Sequence, residues 1–253
     1  MRFDDFDKKM RVYEEAIDQK ILSDFYIVAR LDGRSFTKLT KETIKYETPF
    51  DINFSTLMVD TTKELMTGSG FRIIYGYTQS DEISLLFAED ESTFGRKVRK
   101  INTTLAGEAS ASISLALGIK ATMDCRVVPL PNVDRICDYF VWRQEDAARN
   151  ALNSWCYWTL RKNGYSVGKA TSELNGKTVE FKNELLFRYG INFNDLPDWQ
   201  KRGVGIYPKE VGKEGYNPIT KEKVMAKRKQ LFVDQHLFRG LDYRKFIEKL
   251  LLK

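Results

Sequence analysis

Two short apolar runs, each ending in a carboxylate, constrain this chain more than any other feature. Phe25-Tyr26-Ile27-Val28-Ala29-Arg30-Leu31 leads into Asp32-Gly33-Arg34-Ser35-Phe36. Phe71-Arg72-Ile73-Ile74-Tyr75-Gly76-Tyr77 leads through Thr78-Gln79-Ser80 into Asp81-Glu82 and Ile83-Ser84-Leu85-Leu86-Phe87. A run as short and apolar as Phe25–Leu31 reads as a strand buried on both faces. Phe71–Tyr77 and Glu82–Phe87, with a few polar residues between them, read as a β-hairpin. Strands that each deliver an Asp at an end or turn can bring both carboxylates to one edge of a sheet. Hard oxygen donors suit Mg²⁺, which takes one or two carboxylates plus waters and substrate phosphates. The pair Asp32 and Asp81 therefore reads as a metal site for phosphoryl or nucleotidyl transfer.

The neighbouring residues extend this reading. Gly33 lets the backbone approach a ligand closely, and its carbonyl can join the Asp32 carboxylate on a metal. If Arg34-Ser35-Phe36 opens a helix, its free N–H groups meet a triphosphate. Asp81 is the better ligand candidate of its pair, because Glu82 faces the other side of an alternating strand. Each motif also has a plainer reading: Asp-Gly is a favoured turn dipeptide, and Gln79–Glu82 can be an ordinary polar hairpin tip.

Residues Asp4 to Lys20 have apolar positions at helical spacing and predict an amphipathic first helix. Pro49-Phe50-Asp51 precedes a helix over about Ile52 to Met66, with Asp51 as its cap. A long helix is expected over Phe94 to Leu117, a strand over Met123 to Leu130, and a second long helix over Asp138 to Leu160. After Gly164 the organisation weakens. Short helices are expected around Thr171 and Glu184, Gly- and Pro-rich loops from Asp195 to Pro218, and one arm of a hairpin over Val224 to Asp234. The order predicts an α+β fold, with helices mainly on one face of the sheet. It divides into a catalytic domain over 1–164 and a smaller C-terminal helical and hairpin extension over 165–253.

The chain has 41 basic and 35 acidic residues, a net charge of +6, which permits a nucleotide or nucleic-acid partner without requiring one. No stretch has the apolar length of a membrane span, and the acidic start Asp4-Asp5-Phe6-Asp7 is unlike a signal peptide. A soluble cytoplasmic protein is the expectation. Cys125, Cys137 and Cys156 form no close pair and read as core residues. His236 is the sole histidine, which argues against Ser-His-Asp or Cys-His chemistry. Trp142, Trp155, Tyr157 and Trp158 read as core or subunit packing. Arg96, Lys97, Arg99 and Lys100 read either as a solvated helix face or as a phosphate clamp. Lys182, Lys201, Arg202 and Lys227–Lys229 are candidates for a diffuse RNA-contacting surface.

At these residues the chain resembles the tRNA(His) guanylyltransferase family. The resemblance rests on Arg30–Phe36, Ser80-Asp81-Glu82, Arg96-Lys97-Val98-Arg99-Lys100, Asp124–Val127, Trp142-Arg143-Gln144-Glu145-Asp146, Lys182–Phe187 and Lys201-Arg202-Gly203. It implies a palm-like antiparallel sheet of the polymerase and cyclase type, usually assembled as a tetramer. It implies an enzyme that adds nucleotides to the 5′ end of tRNA in the 3′-to-5′ direction. Two Mg²⁺ ions would be bound by Asp32, the Gly33 carbonyl and Asp81. ATP, GTP or another nucleoside triphosphate would be held by Asp32, Gly33, Arg34, Ser35, Phe36, Thr37, Ser80 and Asp81, helped by Arg30 and Lys100. Arg96, Lys97, Arg149, Asn150, Lys182, Lys201 and Arg202 would face the tRNA.

Two departures refine the resemblance. Where the family carries His-Ile-Asn-Asn-Leu-Tyr-Asn, this chain has Ala148-Arg149-Asn150-Ala151-Leu152-Asn153-Ser154. It is thus more similar to the guanylyltransferase-like proteins of bacteria and archaea, which favour templated repair of 5′-truncated tRNA. The family's Lys-Pro-x-Asp is Thr48-Pro49-Phe50-Asp51 here, so its triphosphate-contacting lysine is missing or shifted to Lys45, with Asp51 kept. A palm-type nucleotide cyclase and a non-catalytic tRNA-binding module are the alternatives.

Overall fold

The computed structural model describes residues 2–216 and 223–252. In chain order it contains α1 (Phe3–Glu15), β1 (Tyr26–Arg34), α2 (Phe36–Lys38), α3 (Ile52–Gly68), β2 (Ile73–Gln79) and β3 (Glu82–Phe87). These are followed by α4 (Val98–Leu117), β4 (Thr122–Leu130), α5 (Val133–Lys162), α6 (Val167–Leu174), α7 (Val179–Arg188) and α8 (Asp198–Arg202). The last elements are β5 (Val204–Tyr216), β6 (Lys223–Asp234) and α9 (Gly240–Leu251). The six strands form one sheet in the order β4-β1-β3-β2-β5-β6, and every pairing is antiparallel.

The apolar run that predicted β1 is explained by its position. It lies between β4 and β3, with Val28, Ala29 and Leu31 all fully buried. Side chains alternate across a strand, so one run serves two cores. Ile27, Ala29 and Leu31 pack with Leu65 of α3 and with Leu105, Ala109 and Ile113 of α4. Val28 packs on the other face with Leu86, Tyr75, Phe140 of α5 and Tyr243 of α9. The α+β antiparallel sheet is as expected. The helices expected mainly on one face instead cover both, α3 and α4 on one and α5 and α9 on the other, because the alternating β1 side chains are apolar on each side. A third cluster joins the later part of α5, at Leu152, Cys156 and Leu160, to α6 and α7.

Caps set the helix boundaries. The Asp51 carboxylate accepts from the N–H groups of Asn53 (2.7 Å) and Phe54 (3.3 Å), as its position before Ile52 predicts. Asn132 accepts from Arg135 N–H at 3.0 Å, which starts α5 five residues before the expected Asp138. The helix expected from Phe94 begins only at Val98. Phe94, Gly95 and Arg96 adopt left-handed φ angles of 56°, 59° and 57°, and buried Arg96 turns inward to donate to the carbonyls of Phe25 and Glu91.

The Gly- and Pro-rich stretch from Asp195 to Pro218 is mostly regular structure, α8 followed by β5; residues 217–222 lie outside the described residues. The glycine there that reads as loop serves close packing. A Cβ at Gly203 (φ 72°) would sit 2.7 Å from the Thr78 carbonyl oxygen, so only glycine lets this chain dock on β2. The C-terminal residues thereby extend the sheet, and α9 closes the second core.

Tyr75 of β2 and Tyr243 of α9 share a hydrogen bond of 2.8 Å between fully buried hydroxyls. Tyr75→Phe leaves the Tyr243 hydroxyl without that partner in an apolar core, and should lower unfolding free energy by about 1–3 kcal/mol. The double variant Tyr75→Phe/Tyr243→Phe removes both polar groups and should recover part of that loss in urea denaturation. No recovery in the double variant would assign the loss to packing.

Candidate active site

The end of β1 and the turn between β2 and β3 meet at Gly33. Its N–H donates to the Asp81 carbonyl at 3.0 Å. A Cβ at this position would lie 2.9 Å from the Asp81 Cβ and 2.5 Å from the Phe36 ring. Any other residue would push the hairpin tip away. The tip is a two-residue turn, Ser80-Asp81, with Ser80 left-handed at φ 54°. Gly33 and this turn bring Asp32 and Asp81 to one edge of the sheet.

The carboxylates there have unequal surroundings. Asp32 and Glu82 are direct register partners on neighbouring strands and face the α5 side of the sheet. Arg30, two residues before Asp32 on the same face, donates to Asp32 at 2.9 Å and to Glu82 at 2.5 Å. Arg126 of β4 adds a contact to Asp32 at 3.3 Å. Arg143 of α5 donates to the other Glu82 oxygen and lies 3.3 Å from Asp146. Burial pushes the Glu82 carboxyl up, and Arg143 and Arg30 oppose that shift.

Asp81 has no such ion pair, although the Arg30 charge also works to lower its pKa. Among the described residues no arginine or lysine forms an ion pair with it; it accepts from the Ser80 hydroxyl at 3.2 Å. Burial raises its pKa above the ordinary carboxylate value, against the hydrogen bonds of its own amide and Ser80, and the Asp32 charge raises it further. A half-buried carboxylate in no ion pair, beside Asp32, is a donor suited to a hard divalent cation. Among the described residues no cluster of three or more His, Cys, Asp or Glu side chains could hold a metal.

The edge opens onto a cleft of about 240 Å³. One wall is Phe36, Thr37, Lys41 and the Tyr46–Asp51 loop; the other is Arg143, Asn150, Ser154 and Trp158 of α5, with Gln79–Glu82 between them. The α5 residues recur at intervals of seven, four and four, one face of a helix. Lys162 at the end of α5 donates to the Thr48 carbonyl at 2.7 Å and ties the walls together. Lys41 lies over the Trp158 ring, 4.9 Å from its centroid.

The structure thus gathers Arg30, Asp32, Gly33, Phe36, Thr37, Asp51, Ser80, Asp81 and Asn150 around one cleft or its edge. Their situations differ. Phe36 is a core residue, 2% exposed, and the Asp51 carboxylate is occupied by backbone N–H groups, including that of Glu47 at 2.9 Å. Arg34 and Ser35 are exposed beside the edge, outside the cleft lining, and Ser35 is left-handed (φ 61°) where a helix was expected to open. Lys45 is exposed, with φ 61°, and also lies outside the lining.

The basic residues expected to hold phosphates or RNA are more dispersed. Arg96 is anchored on Phe25, at the far end of β1, about 23 Å of extended strand from Asp32. Lys97 pairs with Asp18 at 2.7 Å, and Lys100 lies over Phe94. Lys201, 5% exposed, donates to the Asn194 carbonyl at 2.6 Å, and Arg202 donates to that of Leu237 at 3.0 Å. Both hold the C-terminal region together where an RNA-facing surface was expected. Lys182 lies on α7, against α5. Arg149 is exposed and pairs with Asp146.

Residues 7–131 match the family described as tRNAHis guanylyltransferase, and residues 134–237 match its Thg1 C terminal domain. The chain is 34% identical over 205 residues to the probable tRNA(His) guanylyltransferase of Drosophila melanogaster, covering 77% of this chain and 71% of that one. It is 32% identical over 232 residues to the probable tRNA(His) guanylyltransferase of Dictyostelium discoideum, covering 86% of each. Among solved structures it is similar to a bacterial tRNA(His) guanylyltransferase (Thg1)-like protein in complex with ATP, with TM-score 0.77, 26% identity and coverage of 97% and 98%. The complex of such a protein with GTP gives TM-score 0.72 at 26% identity, covering 98% and 100%.

The Asp81 environment predicts an inverse relation between stability and activity. Its raised pKa favours the folded state below the ordinary carboxylate range, and that contribution is lost as pH rises through the folded value. Asp81→Asn should therefore melt higher than wild type in chelator near about pH 7. The shift is about 2–4 °C for each kcal/mol of relieved desolvation, and it should shrink toward about pH 4. Catalytic turnover should fall by orders of magnitude. Equal melting temperatures at both pH values would show that the carboxylate is not desolvated.

Proposed function

The chain belongs to the tRNA(His) guanylyltransferase family, nucleotidyltransferases that add nucleotides to the tRNA 5′ end, and we propose that it acts as a template-dependent 3′-to-5′ polymerase repairing 5′-truncated tRNA. The observation that carries this reading is the convergence of Asp32, Gly33 and Asp81 at the mouth of the cleft. The related bacterial proteins bound to ATP and GTP support a nucleoside triphosphate as its occupant.

The bond made is a phosphodiester. The 3′-hydroxyl of the incoming nucleotide attacks the 5′ α-phosphorus of the tRNA. Pyrophosphate leaves from a 5′-triphosphate end, or AMP from a monophosphate end first activated with ATP. Asp32, the Gly33 carbonyl and Asp81 would hold two Mg²⁺ ions, which when bound lower the hydroxyl pKa and neutralise charge on the leaving group. Arg30, through its two contacts, fixes the Asp32 and Glu82 carboxylates relative to each other, and Arg143 anchors Glu82 to α5. Ser80 on the hairpin and Thr37 on α2 line the cleft and would border a nucleotide held there. The stretch Ala148–Ser154, which replaces the family's tRNA(His)-associated sequence, contributes Asn150 and Ser154 to the cleft wall. That supports selection by base pairing in place of a dedicated tRNA(His) readout.

Assembly of copies as a tetramer belongs to the same proposal. α1 has no buried residue and exposes Phe3 (77%) and Tyr13 (70%), which supports a partner for that face.

The test is 5′ extension of a tRNA lacking its first nucleotide, supplied with either a triphosphate or a monophosphate end. Each of the four nucleotides is offered with Mg²⁺, and Asp32→Ala and Asp81→Ala serve as inactive references. Addition only of the nucleotide complementary to the opposing acceptor-stem base is expected, with loss in both variants. Addition of G whatever the opposing base would replace repair by non-templated guanylylation. Intact tRNA binding without extension of either end would leave a binding module.

A further inference from the structure

The cleft contains two cationic side chains, Lys41 and Arg143, among the described lining residues. They are not equivalent. Arg143 is 6% exposed and its charge is balanced by Glu82 and Asp146. It belongs to the structure that holds the carboxylates and has little charge to offer a ligand. Lys41 forms no ion pair or hydrogen bond with any described residue. Its Nζ lies over the face of Trp158, on the opposite wall, with the Asp81 charge close enough to favour its protonated form. Burial works against that charge and lowers the Lys41 pKa. The Lys41 side chain is thus exposed at the cleft, its ammonium against an aromatic face and near the Asp81 charge but in no ion pair.

The backbone explains how it arrives there. Leu39–Thr43 is a single π-helical turn, closed by Ile44 N–H donating to the Leu39 carbonyl at 3.0 Å. Lys41 sits at its centre, and such turns re-aim side chains relative to a regular helix. The four-carbon stem leaves the ammonium free to swing, with three donors, between the ring and an arriving anion. Lys45 lies past the turn and outside the lining.

We propose that Lys41 is the phosphate-binding cation of this cleft, held on Trp158 until a nucleotide's polyphosphate draws it off. This rests on the cleft being the nucleotide site and adds the group that recognises the phosphates. Besides the arginine-paired Glu82, the carboxylates Glu47, Asp51 and Asp81 line the cleft and make it acidic. A polyphosphate entering it needs positive charge from the protein besides any bound metal, and Lys41 is the lining cation with charge unspent. The contact is a charge-assisted hydrogen bond from Nζ to a non-bridging phosphate oxygen.

The test is ATP binding by calorimetry with Mg²⁺ and, separately, adenosine binding, read together with tryptophan fluorescence. Variants are Lys41→Met, Lys41→Arg, Lys45→Met and, as a reference for loss of one charge nearby, Lys38→Met. Lys41→Met should weaken ATP by about tenfold or more, the worth of one charge-assisted contact, and leave adenosine unchanged. Lys41→Arg should recover most of the loss. The ATP-induced fluorescence change should shrink in Trp158→Phe, Trp199 being the other tryptophan of the lining. Unchanged ATP affinity in Lys41→Met, equal losses for ATP and adenosine, or a larger loss in Lys45→Met would overturn the assignment. Absence of ATP binding to the wild-type protein would instead overturn the nucleotide site itself.

Discussion

One hydrogen bond without a side chain beside it organises this end of the molecule: the 3.0 Å contact from Gly33 N–H to the Asp81 carbonyl. β1 and the β2–β3 hairpin are each held rigidly by the sheet, so their relative position is set by how closely they touch at this point. The missing Cβ lets both the Phe36 ring and the hairpin tip at Asp81 close on Gly33. The positions of Asp32 and Asp81, the mouth of the cleft and the aim of the following π-helical turn all depend on that contact. Because the strands are fixed by pairing along their lengths, the site inherits their rigidity, which favours a precise arrangement of ligands.

Gathering acidic groups at one edge is electrostatically unfavourable, and the surrounding elements compensate selectively. Arg30 comes from β1, Arg126 from β4 and Arg143 from α5, and all three go to Asp32 or Glu82. Asp81 receives none. The result is a neutralised structural layer beneath one carboxylate whose charge is left for something the chain itself does not provide. A site in which every carboxylate was paired would be more stable and less able to bind a cation.

Much of this was legible in the residues. β1, the β2–β3 hairpin, the Asp51 cap and the meeting of Asp32 with Asp81 follow from apolar runs and their polar ends, because local pattern and tertiary position agree there. The later chain was less legible. β5 reads as loop because Gly203 and Gly205 are needed where backbone and Tyr75 come close, a demand visible only once the strands are placed. The basic stretch at Arg96 reads as helix because its inward turn depends on the distant Phe25 carbonyl. Lys201 looked like a surface lysine and is the buried residue of α8, donating to the Asn194 carbonyl. Lys41 carried no signal of its own, since a lysine among polar residues is ordinary until Trp158 is found across from it. Even so, the face Arg143, Asn150, Ser154 and Trp158 was present in the spacing of α5.

That helix has 30 residues, a rod of about 45 Å. Its first part, at Ile136 and Phe140, lies in the sheet's second core, and its later part, at Cys156 and Leu160, lies in the cluster with α6 and α7. Between them it walls the cleft, and at its end Lys162 grips the opposite side. A stiff rod seated at both ends has few independent degrees of freedom. It cannot roll under α6 and α7 without turning Arg143 against Glu82 and shifting Trp158 across the cleft. The width of the cleft and the seating of the C-terminal helices are therefore two readings of a single mechanical coordinate.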